Sequence, residues 1–340
     1  MTDTKDTVLV TGISGYIAKH VALQVAQAGY KVRGTVRNAA KGEDSRQTLI
    51  DHGVGADDIE IVEADLLSDD GWQAAVAGCR YVQHLASPFP IAIPKNPDDL
   101  IKPARDGTTR VLTHAANAGV ERAVVTSSVA AILYDKPSPF DETDWADDGG
   151  LEKLLPYAAS KTIAERTAWA IANKHPDLQV AVVNPGFVQG PPLDKDVESS
   201  AEGILMLMKG KYPAVPKITF SFVDVRDVAG IHLAAMESDR AAGERFAAVC
   251  GHASMLEMSQ FLSKAFPAYR KKLPSREMPN FLVKAMALVD AGARSVKNQL
   301  GKKPTITTRK VHDVLGYDYK YSPEQAIIGM GEKLIAFKLV

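Results

Sequence analysis

Cysteine is scarce in this 340-residue sequence: Cys79 and Cys250 are the only two, and they lie far apart. Two such thiols cannot make a disulfide framework or a cysteine-based metal cluster, and no metal is expected. Charge of one sign is also missing, because 40 Lys and Arg stand against 41 Asp and Glu, a formal net charge of -1. A balanced chain gives no reason to expect a polyanionic partner. The short basic clusters Arg270-Lys271-Lys272 and Lys302-Lys303 read as solvated faces, so no nucleic acid is expected. No apolar run approaches the roughly 20 residues of a membrane span, so no membrane partner is expected. The opening Met1-Thr2-Asp3-Thr4-Lys5-Asp6 has no apolar stretch of the kind a secretory leader needs. These absences suggest a soluble, cytoplasmic protein and leave its oligomeric state, monomer or homodimer, open. Repeats, low-complexity stretches and an obvious linker are missing too. What is present, 46% hydrophobic and 24% charged residues, is ordinary for a globular fold of one large domain or two lobes.

The first informative stretch is Thr7–Thr11, a β-branched apolar run, followed at once by Gly12-Ile13-Ser14-Gly15-Tyr16-Ile17-Ala18. Lys19–Ala28 then has helical apolar spacing, Gly29 stops it, and Lys31–Val36 reads as a second strand. Strand, glycine turn, helix and strand form a βαβ unit. Its glycines let backbone N–H groups approach a pyrophosphate at the helix N-terminus. The spacing is G-x-x-G-x-x-A, and Ala18 is small enough for close helix–strand packing. A plain tight turn is the alternative. The second strand ends at Arg37, with Lys41 close behind, where an NAD site usually carries an acidic residue. An Arg can pair with a ribose 2′-phosphate, so NADP(H) is favoured, the alternative being a surface cation.

Ile59–Val62, Tyr81–Leu85, Arg122–Thr126 and Leu178–Val183 read as further strands, and Asp98–Ala118 and Tyr157–Ala172 as long helices. Together they predict an α/β fold with a doubly wound parallel sheet, whose ligands bind at the strand C-termini. Asp65 and Leu66 follow one such end, where Asp65 either accepts from an adenine amino group or caps a helix. Leu85, Ala86 and Ser87 follow another, leading to Phe89. Ser127 and Ser128 follow a third, with turn capping as their plainer role. Tyr134–Pro156 is a long Pro-, Asp- and Gly-rich loop of the size that often carries function. Beyond Asn184-Pro185-Gly186-Phe187-Val188 the alternation loosens. Helices are expected over Ser199–Met208, Val225–Met236 and Ser254–Phe266, and strands over Thr219–Val223 and Arg245–Val249.

Tyr157 and Lys161 are four residues apart, so on a helix they share one face. An ammonium beside a phenol favours the phenolate and makes the pair a usable proton donor or acceptor. Alone, the pair reads as helix surface. With the Gly12–Ala18 turn, Asp65-Leu66, Thr126-Ser127-Ser128 and Asn184-Pro185-Gly186, the chain resembles the extended short-chain dehydrogenase/reductases over nearly its whole length. Gly34-Thr35-Val36-Arg37, Ser87-Pro88-Phe89, Val223–Val228 and Leu315-Gly316-Tyr317 make it most similar to their dihydroflavonol reductase-like group of NADPH-dependent aldehyde and ketone reductases. The plant cinnamoyl-CoA reductases carry an Asn-, Trp- and Tyr-rich motif before the catalytic Tyr. Here the stretch is Lys153-Leu154-Leu155-Pro156, which disfavours a CoA thioester.

The resemblance implies a Rossmann-type NADP-binding domain over 1–190, with 219–250 returning to it. A smaller, mostly helical substrate lobe is implied over 191–218 and 251–340. It implies catalysis by Ser128, Tyr157 and Lys161, with Ser127 as the fallback serine. Cofactor contacts are implied for Gly12, Ile13, Ser14, Gly15, Tyr16, Ile17, Arg37, Lys41, Asp65, Leu66, Leu85, Ala86, Ser87, Ser127, Tyr157, Lys161, Pro185, Gly186, Phe187 and Val188. A small hydrophobic carbonyl substrate would meet Phe89, Ser128, Phe187, Met206 and Met208, although Met and Phe at such spacing are also ordinary core. A tightly held NAD in a nucleotide-sugar epimerase or dehydratase, a 3β-hydroxysteroid dehydrogenase, and a non-catalytic NADP sensor are the rival readings.

Overall fold

The computed structural model describes residues 5–87, 96–197, 201–288 and 290–340. In chain order the elements are β1 (Thr7–Thr11), α1 (Tyr16–Gln27), β2 (Lys31–Val36), α2 (Ala39–Asp51), β3 (Ile59–Glu63), α3 (Trp72–Val76), β4 (Cys79–His84), α4 (Asp98–Asn117) and β5 (Arg122–Thr126). Then come α5 (Pro156–Lys174), β6 (Gln179–Pro185), β7 (Phe187–Gln189), α6 (Glu202–Met208), β8 (Thr219–Asp224), α7 (Val225–Glu237), β9 (Arg245–Ala248) and β10 (Gly251–Ser254). The chain closes with α8 (Met255–Ala265), α9 (Asn280–Met286), α10 (Ala291–Val296), α11 (Arg309–Leu315) and α12 (Pro323–Ala336).

Seven strands form one parallel sheet in the order β3-β2-β1-β4-β5-β6-β9. The order reverses at β1, which puts the strand ends of β1 and β4 at the crevice where such sheets bind ligands. Both faces of the sheet are covered, and its central strands β1, β5 and β6 read as near-continuous apolar runs. Val8 and Val10 of β1 pack into the core shared with α1 and α7, while Leu9 between them faces the opposite core of α3, α4 and α5. In β6, Ala181 and Val183 take the first face and Val180 and Val182 the second. Period-two alternation thus feeds two cores from one strand. Each fully buried Val or Leu contributes about 1.5–3 kcal/mol.

A smaller sheet has the order β10-β8-β7, with β8 antiparallel to β10 and parallel to β7. Gly186 is where the chain leaves the large sheet for the small one. A Cβ there would lie 2.3 Å from the Ser221 carbonyl oxygen, so only glycine permits the crossing. The region 134–156 contains two short 3-10 turns, Ala146–Gly149 and Leu151–Lys153. A C-terminal segment holds it: Phe140 N–H donates to the Thr305 carbonyl at 2.9 Å, and Thr307 N–H to the Phe140 carbonyl at 2.8 Å. Among the described residues no helix is long and apolar enough to cross a membrane.

Four elements go beyond the sequence reading. Helix α2 buries only Gly42, Ser45, Thr48 and Leu49, so it has no apolar stripe to detect. The Asn38 side chain starts it by accepting from Ala40 and Lys41 N–H. Helix α3 and strands β7 and β10 are three to five residues long and carry no period.

Candidate active site

The turn after β1 is built around Gly12, whose φ is +65°. A Cβ on Gly12 would sit 3.1 Å from the Ala86 backbone, so the turn and the end of β4 touch only because the side chain is absent. Gly12 N–H donates to Thr35 Oγ1 at 3.0 Å, and Ile13 N–H to the Thr35 carbonyl at 3.0 Å. The Ile13 side chain is fully buried and would lie 2.5 Å from a Cβ on Gly34. The Tyr16 hydroxyl donates to the Gly190 carbonyl at 2.8 Å in the interior. Ile13 and Tyr16 therefore spend their side chains on the fold, and the Ile13 N–H is already used. Ser14 and Ile17 are half-buried at the helix start. Gly15 caps α1 without a side-chain bond, leaving the first N–H groups of the helix to an anion.

Arg37 is exposed and has no ion pair among the described residues, whereas Lys41 Nζ lies 3.4 Å from Asp196. Asp65 Oδ1 accepts from Leu67 N–H at 3.0 Å, a local turn bond in place of a helix cap. Leu66 packs where a side chain on Gly107 would be, and its carbonyl accepts from Arg110.

At the end of β4, Leu85 and Ala86 N–H both donate to Thr11 Oγ1 at 3.0 Å. The Thr11 hydroxyl proton then goes to His84 Nδ1, 3.0 Å away, which leaves the His84 proton on Nε2. Burial, and then the charge of Lys161, push His84 down to about 3, so its ring is neutral. Sequence reasoning missed Thr11 and His84, because one reads as strand and the other as core. Ser87 is half-buried, and Phe89 lies outside the described residues.

The two serines after β5 differ. Ser127 Oγ donates to Glu165 Oε2 at 2.6 Å, and its N–H to the Val183 carbonyl at 2.8 Å. Ser128 Oγ accepts from Ala130 N–H at 3.1 Å, and no acceptor among the described residues takes its hydroxyl proton. The turn Val129–Ala131 that Ser128 caps packs against α5. Near the start of α5, Tyr157 is 38% exposed and Lys161 Nζ lies 6.0 Å from its ring centroid. Lys161 is half-buried.

Pro185 and Val188 are buried, and Gly186 N–H donates to the Ala248 carbonyl at 2.9 Å. The Phe187 ring is 5.1 Å from Phe220 and 5.4 Å from Phe222, beside Gly203 of α6. Met206 on α6 is half-buried. Met208 is fully enclosed in the large core, so it fills the interior rather than lining a pocket.

The profile of the NAD dependent epimerase/dehydratase family matches residues 8–249. Cinnamoyl-CoA reductase 1 of Arabidopsis thaliana is 32% identical over 92% of this chain and 85% of its own. Tetraketide alpha-pyrone reductase 2 of the same plant is 31% identical over 93% of this chain and 94% of its own. Among solved structures, yeast methylglyoxal/isovaleraldehyde reductase Gre2, complexed with NADPH, superposes with a TM-score of 0.82 at 25% identity, over 98% of this chain and 99% of its own. Vestitone reductase from alfalfa (Medicago sativa) superposes with a TM-score of 0.76 at 25% identity, over 99% and 100%. With its reversed-order parallel sheet, its glycine turn against β4 and its Tyr157–Lys161 helix, the chain belongs to the NAD dependent epimerase/dehydratase family of extended short-chain dehydrogenase/reductases, in their dihydroflavonol reductase-like group.

Proposed function

We propose that the protein reduces an aldehyde or ketone to an alcohol with NADPH. The reading rests above all on Ser128, which keeps its hydroxyl proton while the adjacent Ser127 gives its own to Glu165. The relatives' names support it, since each is a reductase and one was solved with NADPH. The residues present suit the cofactor. The side-chain-free Gly12 cradle and the uncapped start of α1 fit a pyrophosphate, and exposed Arg37 fits a 2′-phosphate. When bound, NADPH supplies the hydride.

The chain's own residues do the rest. Tyr157 gives a proton to the carbonyl oxygen as the alcohol forms. The Ser128 hydroxyl donates to that same oxygen and stabilises its developing charge. The Lys161 ammonium supports the proton-donating phenol and binds ribose hydroxyls. Phe187 and Met206 offer the substrate apolar surface, and Met adapts to varied shapes. A neutral, moderately hydrophobic carbonyl compound suits that surface better than a CoA thioester. In this reading 191–218 and 251–340 supply the substrate-binding part.

Loss of NADPH absorbance across a panel of aldehydes and ketones, with NADH in parallel, tests the proposal. Turnover with NADPH and several neutral carbonyls is the expected result. Tight NADPH binding with no turnover on any of them would instead indicate a sensor.

A further inference from the structure

One buried carboxylate, Glu165, gathers four donors at the back of the candidate site. It lies on α5, one helical turn beyond Lys161 and two beyond Tyr157, and is only 1% exposed. Oε2 accepts from Ser127 Oγ at 2.6 Å and from Asn184 Nδ2 at 2.8 Å. Oε1 accepts from Arg245 Nε at 2.5 Å and, more weakly, from Trp169 Nε1 at 3.4 Å. Asn184 Nδ2 also donates to the Ser128 carbonyl at 3.2 Å. Two acceptors face that amide nitrogen, so the Asn184 side chain cannot be reversed without setting oxygen against oxygen.

Two consequences follow. The Ser127-Ser128 pair is gripped at three points: the Ser127 N–H, the Ser127 hydroxyl and the Ser128 carbonyl. Two of these grips run to Glu165, one directly and one through Asn184. On the other side, Arg245 Nη1 donates to the carbonyls of Glu142 at 2.8 Å and Asp144 at 2.7 Å. Its guanidinium also lies 3.8 Å from the Trp145 ring centroid. The same carboxylate that fixes the serine turn thus fixes the 134–156 region through Arg245. Nothing in the proposed chemistry needs a charge at this depth, and a buried ion pair is a poor device for stability alone.

We propose that Glu165 is a positioning residue that sets Ser128 against the Tyr157–Lys161 face of α5, with Arg245 coupling 142–145 to the same carboxylate. The proposal rests on the carbonyl-reductase reading. Glu165 touches neither substrate nor cofactor, and acts through Ser127 and Asn184.

The test is a double-mutant cycle on kcat, with NADPH affinity measured by fluorescence titration. Glu165→Gln is expected to lower kcat about tenfold while NADPH Kd stays within about twofold, as for loss of transition-state interactions alone. In a Ser128→Ala background, Glu165→Gln is expected to cost less than about twofold more, because residues acting as one unit are not additive. A merely structural Glu165 would cost the same factor in both backgrounds, and that result overturns the proposal. Should Glu165→Gln fail to fold, Ser127→Ala removes a single bond and runs the same cycle, with an expected loss of about threefold. If the wild-type protein turns over no carbonyl, the reductase reading fails; if Ser128→Ala leaves carbonyl reduction intact, Ser128 is not in the reaction and the positioning role falls. If Ser128→Ala is damaging but the cycle is additive, only the positioning role fails.

Discussion

Ser127 and Ser128 are neighbours with opposite hydrogen-bond roles: Ser127 Oγ donates to Glu165 at 2.6 Å, while Ser128 Oγ accepts from the Ala130 N–H at 3.1 Å. A serine whose proton is already given to a buried carboxylate cannot donate it to a substrate oxygen. A serine that only accepts still can. Removal of an oxyanion-type donor typically costs 10²–10³ in kcat, so Ser128→Ala is expected to lose about 10²-fold with NADPH affinity retained. Ser127→Ala should lose less than about tenfold. Steady-state kinetics on one good carbonyl substrate decide the matter, and a larger loss at Ser127 would reverse the assignment.

Tyr157→Phe removes the proposed proton donor and keeps the aromatic ring. Positioned acid–base groups contribute about 10²–10⁴-fold, and kcat should fall by that order. Near wild-type turnover would remove Tyr157 from the reaction.

Arg37 is exposed and has no ion pair among the described residues, while Lys41 already faces Asp196 at 3.4 Å. Of the two, Arg37 is the cation we propose for a 2′-phosphate. Arg37→Ala should raise KM for NADPH about tenfold and leave NADH nearly unchanged, since only one cofactor carries the phosphate. Lys41→Ala should do less. Equal losses with both cofactors would mean that Arg37 supports the fold rather than the phosphate.

The large sheet was legible because its central strands β1, β5 and β6 are apolar runs bounded by turns, as burial on both faces requires. The candidate residues Gly12, Ser127, Ser128, Tyr157 and Gly186 could be singled out because all sit at element ends. The partition of work inside the site was not legible. Nothing in a Ser-Ser pair says which hydroxyl meets a carboxylate 38 residues away, and Glu165 reads as a helix-surface residue until Arg245 arrives from β9. Met208 went the other way. Its spacing fits a pocket wall and a core equally, and the packing of α6 puts it in the core.

His20, His84 and His232 are buried and neutral, pushed by burial down to about 4, about 3 and about 3. His232 Nδ1 donates to Gln83 Oε1 at 2.8 Å, and Nε2 accepts from Thr126 Oγ1 at 2.9 Å. Unfolded histidine titrates near 6.5, so between 6.5 and these folded values the unfolded chain binds more protons. Their contribution to stability is complete above about pH 6.5 and drains away as pH falls toward 4 and then 3, at about 1.4 kcal/mol per pH unit for each. Glu142 and Asp227, raised by burial, oppose the trend in the lower part of that window. Melting temperature should fall between pH 7 and 5, and His232→Gln should make the fall shallower. An unchanged slope in that variant would assign the acid sensitivity to other groups.

Lys19 lies on α1 with its side chain only 5% exposed, and its Nζ is 2.5 Å from Asp194 Oδ2. The same carboxylate oxygen accepts from Thr48 Oγ1 at 2.9 Å, so Asp194 joins α1 and α2 to the segment beyond β7. Removing Asp194 leaves an ammonium with no counter-charge among the described residues in a nearly closed site, which typically costs 3–5 kcal/mol. Because Asp194 is partly exposed, Asp194→Ala should fall near the lower end, at about 3 kcal/mol. Lys19→Met removes the buried charge and keeps the apolar stem's volume, so it should cost less than about 1.5 kcal/mol. The double variant Lys19→Met with Asp194→Ala should be more stable than Asp194→Ala alone, because the second change removes the stranded charge. Denaturant unfolding of the three variants measures this. If the double variant is less stable than Asp194→Ala, then the carboxylate matters for its bond to Thr48 rather than for the lysine.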